Sequence, residues 1–158
     1  MPLKPVTKGT TPQPLYDADF HRWAEEQGRA IREQRLAEID WENVAEEIET
    51  LGRSERQQIL SRLNVLLLHL LKWQFQPASR SGSWRGSIVE QRYRLAQLLE
   101  ENPSLRDYPF HSLAGEYDVA RLKAAGETGL PEDIFPAACP YTIAEILDPA
   151  FLPDSATE

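Results

Sequence analysis

Apolar residues recur along this chain at helical spacing, and no segment alternates with the period of a strand. Phe20, Trp23, Ala24, Gln27, Ala30 and Ile31 share one face of a helix that Asp17 or Asp19 can cap and that extends to Gln34, weakened by Gly28. Leu36 to Ile39 reads as a short connection. Asp40 then caps a second, long helix with two stripes. Its first half aligns Trp41, Val44, Ile48 and Leu51, and its second half aligns Ile59, Leu60, Leu63, Leu66, Leu67, Leu70 and Leu71. At about 100° per residue the second stripe lies roughly a quarter turn around from the first. Either the helix kinks or breaks near Gly52 to Ser54, with Ser54 as a new N-cap, or it runs straight and meets different neighbours at its two ends. The phase change favours the kink or break.

Pro77, a serine cluster and Gly82 mark Gln74 to Ser83 as a loop. A third helix is predicted from about Ser83 to Glu101, with Ile88, Leu95, Leu98 and Leu99 inward. A fourth, with Pro103 in its first turn, runs to about Ala125 and carries Leu113, Tyr117, Ala120, Leu122 and Ala124. Thr128 to Pro131 is a turn, and Pro131 to Phe135 is one helical turn at most. Thr142 and Glu145 form a capping box for a short helix to Leu147. The expected fold is all-α, a bundle of four main helices in a single domain over 16–153. Residues 1–15 read as a flexible N-terminal tail and 154–158 as a C-terminal tail.

A chain of 158 residues with 41% hydrophobic and 27% charged content can build a core of its own. The N-terminal segment holds four prolines and no apolar stretch of the signal-peptide kind. The longest apolar run, Val65 to Leu71, is interrupted by His69 and falls short of the ~20 residues a membrane span needs. With Cys139 as the only cysteine, these features suggest a cytoplasmic protein without disulfides or membrane contact.

The net charge of −8 opposes general nucleic-acid binding, but the charge is segregated. Eleven acids stand against four arginines from Asp17 to Leu51, and eight bases against two acids from Gly52 to Arg94. Lys72, Trp73, Arg80, Trp84, Arg85, Arg92 and Arg94 interleave cations with aromatics in the basic part. That pattern suits a protein partner, stacking on nucleic-acid bases, or internal bracing of a helix hairpin. Glu46, Glu49, Arg53 and Arg56 form a ladder on the side of the long helix opposite the first stripe, as a polar network or, less readily, a carboxylate and arginine site.

His69 has no carboxylate or histidine one turn away, so no metal and no cofactor are expected. Cys139 has no histidine nearby in sequence, and neither phosphate loops nor nucleophile elbows occur.

Several runs, in this order and spacing, resemble the bacterial family catalogued as domain of unknown function 29. They are Tyr16-Asp17-Ala18-Asp19-Phe20 with Trp23, Glu46-Glu47-Ile48-Glu49 before Leu51-Gly52-Arg53-Ser54-Glu55, His69-Leu70-Leu71-Lys72-Trp73 through Gln76-Pro77, and Arg80-Ser81 with Ser83-Trp84-Arg85. Phe135-Pro136, Cys139-Pro140-Tyr141, Leu147-Asp148 and Phe151-Leu152-Pro153 are similar too. The resemblance spans about Leu15 to Pro153. It implies a helical bacterial protein, often cyanobacterial or proteobacterial, and brings no activity, ligand or catalytic residue. The sequence therefore leans toward a non-enzymatic protein acting through a protein partner or self-association, with a nucleic-acid-associated module built on 72–94 as the main alternative.

Overall fold

The computed structural model describes residues 14–156, all helix, turn and loop without a strand among them. The expected N-terminal tail lies outside the described residues up to residue 13, and Leu15 already belongs to a helix. The helices are α1 (Leu15–Ala18), α2 (Phe20–Arg32), α3 (Trp41–Phe75), α4 (Gly82–Glu101), α5 (Tyr108–Thr128) and α6 (Ile143–Leu147), with single 3-10 turns between several of them. The chain divides into two compact units, one ending at Leu51 and one beginning at Gly52.

In the first unit, Asp19 caps α2 by accepting from the Arg22 amide at 3.0 Å. The helix ends where Gln34 takes a left-handed conformation (φ 56°). Trp23, Ala30 and Ile39 are buried, whereas Phe20, Ala24 and Ile31 of the expected apolar face stay exposed. Asp40 caps α3 as its position predicts, accepting from the Asn43 amide at 3.3 Å.

Helix α3 is 35 residues long and passes Gly52 to Ser54 without interruption, so the break and the Ser54 cap do not occur. One glycine, costing about 1 kcal/mol against alanine, is too weak to stop a helix that continues into a leucine-rich half.

That second half anchors the other unit. Ile59, Leu63, Leu66, Leu67, Leu70 and Leu71 are wholly buried, with Leu60 alone of the predicted stripe half-exposed. Ile88 and Leu95 of α4, Tyr117, Ala120 and Ala124 of α5, Phe135 and Ile146 complete the core. Leu122, expected inside, is 56% exposed; Ala120 and Ala124, two residues to either side, occupy the buried face instead.

Ser81 caps α4, accepting from the Trp84 amide at 3.3 Å, so the helix starts at Gly82. Pro103 starts a separate 3-10 turn, Pro103–Leu105, and α5 begins only at Tyr108. Helix α5 closes on Gly129, whose φ of +72° only glycine adopts freely. The capping box of Thr142 and Glu145 on α6 forms in both directions.

Candidate functional site

Part of the aromatic and basic set of 72–94 serves as internal bracing. Trp73 and Trp84 are both half-buried. Lys72 Nζ lies 4.7 Å above the Trp84 ring and pairs with Glu127 of α5 at 2.6 Å. The Arg80 guanidinium lies 4.9 Å over the Trp73 ring, donates from Nε to the Trp73 carbonyl at 2.8 Å and reaches Ser155 Oγ at 3.0 Å. Ala156 adds a backbone bond to the Gln74 carbonyl, so 155 and 156 dock on the end of α3.

Arg92 is buried, at 5% exposure, and among the described residues its hydrogen bonds go to backbone carbonyls. Its Nε donates to the Ile146 carbonyl and Nη1 to the Phe151 carbonyl, both at 2.8 Å, while Nη2 reaches the Glu145 carbonyl at 3.4 Å. Burial lowers its pKa, and the nearby charge of Asp148 opposes that shift. The guanidinium ties the end of α6 and the C-terminal segment to α4. Of the candidate interaction residues, Arg85 and Arg94 alone are exposed.

The ladder of Glu46, Glu49, Arg53 and Arg56 is exposed along its length. His69 is half-buried, with Nδ1 2.8 Å from the Val65 carbonyl. Among the described residues no three or more His, Cys, Asp or Glu side chains gather where they could hold a metal.

Cys139 borders a hollow of about 310 Å³ with Phe110, Leu113, Tyr117 and Asp118. Burial raises the thiol's pKa, which keeps it protonated and a poor nucleophile at neutral pH. Tyr117 is equally unsuited to proton transfer near neutrality: burial lifts its phenol to about 12, and its hydroxyl donates to the Pro136 carbonyl at 2.6 Å.

The first stripe of α3, whose spacing predicts a face packed on neighbours, is instead turned largely outward. Trp41 is 59% exposed, Ile48 64% and Leu51 68%, with Val44 half-buried. The face of α3 that holds the first unit together lies roughly a quarter turn away, at Asp40, Asn43 and Glu47. There Asp40 Oδ2 accepts from the Trp23 indole at 3.2 Å and from Asn43 Nδ2 at 2.8 Å. The Asp40 amide donates to Gln27 Oε1 at 2.7 Å, and Glu47 accepts from the Tyr16 hydroxyl. Tyr16, Phe20 and Trp23 cluster edge to face and stacked, with ring centroids 4.8 to 5.8 Å apart.

On this half of α3, polar side chains thus make the contacts to α1 and α2, and the large apolar ones point outward. From Trp41 to Leu51 the helix carries four acids (Glu42, Glu46, Glu47 and Glu49) and no base. The result is an apolar stripe at i, i+3, i+7 and i+10 with acidic surroundings. The sequence signal for it was the phase change itself, since only one of two misaligned stripes on a continuous helix matches the leucine core.

The model of the family described as "Domain of unknown function DUF29" matches residues 15–152, and the chain belongs to that family. No curated protein and no solved structure gives a significant match.

Proposed function

We propose that this DUF29 chain works by binding protein, with the outward stripe of α3 as its docking face. The observation that carries this reading is the exposure of Trp41, Ile48 and Leu51 at the spacing of a helix-packing seam. Isolated exposed apolar residues are ordinary on protein surfaces, but three large ones in line on one helix form a continuous patch. The region around it, Asp17 to Leu51, carries eleven acids and four arginines, a net charge of 4 − 11 = −7 that repels nucleic acid. The occupant this face suits is a polypeptide surface that is apolar at its centre and basic at its margin. Within the basic segment 72–94, Lys72, Arg80 and Arg92 are already engaged in the fold, which leaves the α3 stripe as the primary docking face.

The test is site-specific photo-crosslinking in the host cell. A photo-reactive residue in place of Ile48 should form a discrete polypeptide adduct that Leu51→Ser abolishes. The same probe at Arg53, about 140° around the helix from Ile48, should form none. Equal labelling from both positions, or none from Ile48, overturns the reading.

A further inference from the structure

Helix α4 presents the kind of surface the α3 stripe lacks. Val89 and Tyr93 are 57% and 59% exposed, one turn apart on its outer face. Together with Ala96, Leu147 and Pro149 they border an apolar hollow of about 320 Å³ floored by the buried Arg92. Arg85 lies one turn before Val89, and the Arg94 guanidinium stacks 5.7 Å from the Tyr93 ring. Between Gly82 and Arg94 three arginines stand against one acid, Glu90. Asp148 is the acid next to the hollow's far wall, where it partly offsets Arg92. Apolar at its centre and basic at its margin, this face is the complement of an apolar stripe set among Glu42, Glu46 and Glu49.

We propose that the α3 stripe of one chain docks on the α4 face of a second copy. Ile48 and Leu51 pack against Val89 and Tyr93, and the acids of α3 lie near Arg85 and Arg94. The contact joins two different faces, so each copy has one of each to offer, and reciprocal use of both gives a two-fold dimer. Pairing of two α3 stripes would instead set four acids against four acids. This inference rests on the reading of the α3 stripe as the docking face and names what covers it.

The test uses the full chain and two surface variants, Ile48→Ser/Leu51→Ser and Val89→Ser/Tyr93→Ser. Circular dichroism first establishes that both remain folded. Light scattering over a concentration series should give twice the 18.0 kDa chain mass for the native protein. Each variant should dimerise at least tenfold more weakly. Mixed in equal amounts, the two variants should recover association, because a mixed pair keeps one native α3–α4 contact. Arg85→Glu/Arg94→Glu should weaken the native dimer, as should added salt.

A native monomer at every concentration overturns the proposal, as does a dimer indifferent to Val89→Ser/Tyr93→Ser. A dimer that depends on Ile48 and Leu51 but shows no recovery on mixing also overturns it, while leaving the α3 stripe as the docking face. Failure of the docking face itself shows separately, as an absent or unspecific adduct from Ile48.

Discussion

The Tyr16 hydroxyl donates to Glu47 Oε1 at 2.5 Å, across 31 residues of chain. This bond fixes which side of α3 faces α1, and so which side is left for Trp41, Ile48 and Leu51. It also lifts the Tyr16 phenol to about 12, chiefly through the hydrogen bond to Glu47, with desolvation and the Glu47 charge adding to it.

A spectroscopic titration can read that bond. Raising a phenol's pKa on folding means the folded state holds the proton longer. The stabilisation is complete below pH 10, the ordinary value, and is lost as pH rises from there through about 12. Comparing native protein with Tyr16→Phe isolates Tyr16 from the other tyrosines. The phenol present only in the native protein should ionise near 12, and in Glu47→Gln it should ionise closer to 10. No change in Glu47→Gln would mean that the bond is not formed in solution.

Asp40 joins two roles in one carboxylate, capping α3 and accepting from the Trp23 indole. The side-chain hydrogen bond from Asn43 lowers its pKa most, helped by the Asn43 amide and the Trp23 indole and opposed by desolvation. The native state then binds this proton less readily than the unfolded chain. Its stabilisation is present above about pH 4 and disappears as pH falls through the lowered native value. Asp40→Ala should cost about 1–2 kcal/mol by the usual scale of helix caps. Asp40→Asn keeps a capping oxygen, should cost less, and should remove this residue's share of the acid dependence. Urea unfolding at pH 3 and pH 6, followed by tryptophan fluorescence, separates the two.

Arg92 makes a different kind of prediction, because it neutralises no carboxylate directly. Replacing it with methionine fills a similar volume but leaves the carbonyls of Ile146 and Phe151 without this donor, while that of Glu145 keeps the Asp148 amide. At about 1–3 kcal/mol for each buried group left unsatisfied, the loss should come to about 2–6 kcal/mol. Arg92→Lys keeps the charge yet lacks the planar fork, so it should recover only part of that stability. Arg94→Met, on the exposed side of the same helix, should stay within about 0.5 kcal/mol. Denaturant midpoints at a fixed low protein concentration provide the comparison.

What could be read from the sequence follows from what each signal encodes. The leucines from Leu63 to Leu71, the Asp40 cap and the capping box of Thr142 and Glu145 are local patterns, and all three appear in the structure. Periodicity told that Trp41, Val44, Ile48 and Leu51 share a face, but not what stands opposite it. The competing face of Asp40, Asn43 and Glu47 is polar, and its partners Tyr16 and Trp23 are distant in sequence. Arg92 was legible as a cation but not as a clamp, because backbone carbonyls have no residue type to announce them. Leu122 went wrong for a simpler reason: on α5 the small residues Ala120 and Ala124 permit close approach, and the leucine between them points out.

The two stripes of α3 can be weighed against each other by one pair of substitutions. Leu67 is wholly buried among the leucine core, and its truncation to alanine removes packing from every side. Such a change costs about 2–5 kcal/mol, according to how far the site can collapse. Leu51 is equally apolar and lies on the same helix, but it is 68% exposed. Leu51→Ala should therefore leave the unfolding free energy of the isolated chain within about 0.5 kcal/mol at low concentration. At high concentration the midpoint of the native protein should rise with association, because binding to the folded state adds stability by mass action, and Leu51→Ala should blunt that rise. A large cost for Leu51→Ala in dilute solution would place the first stripe in the chain's own core and remove the surface on which docking depends.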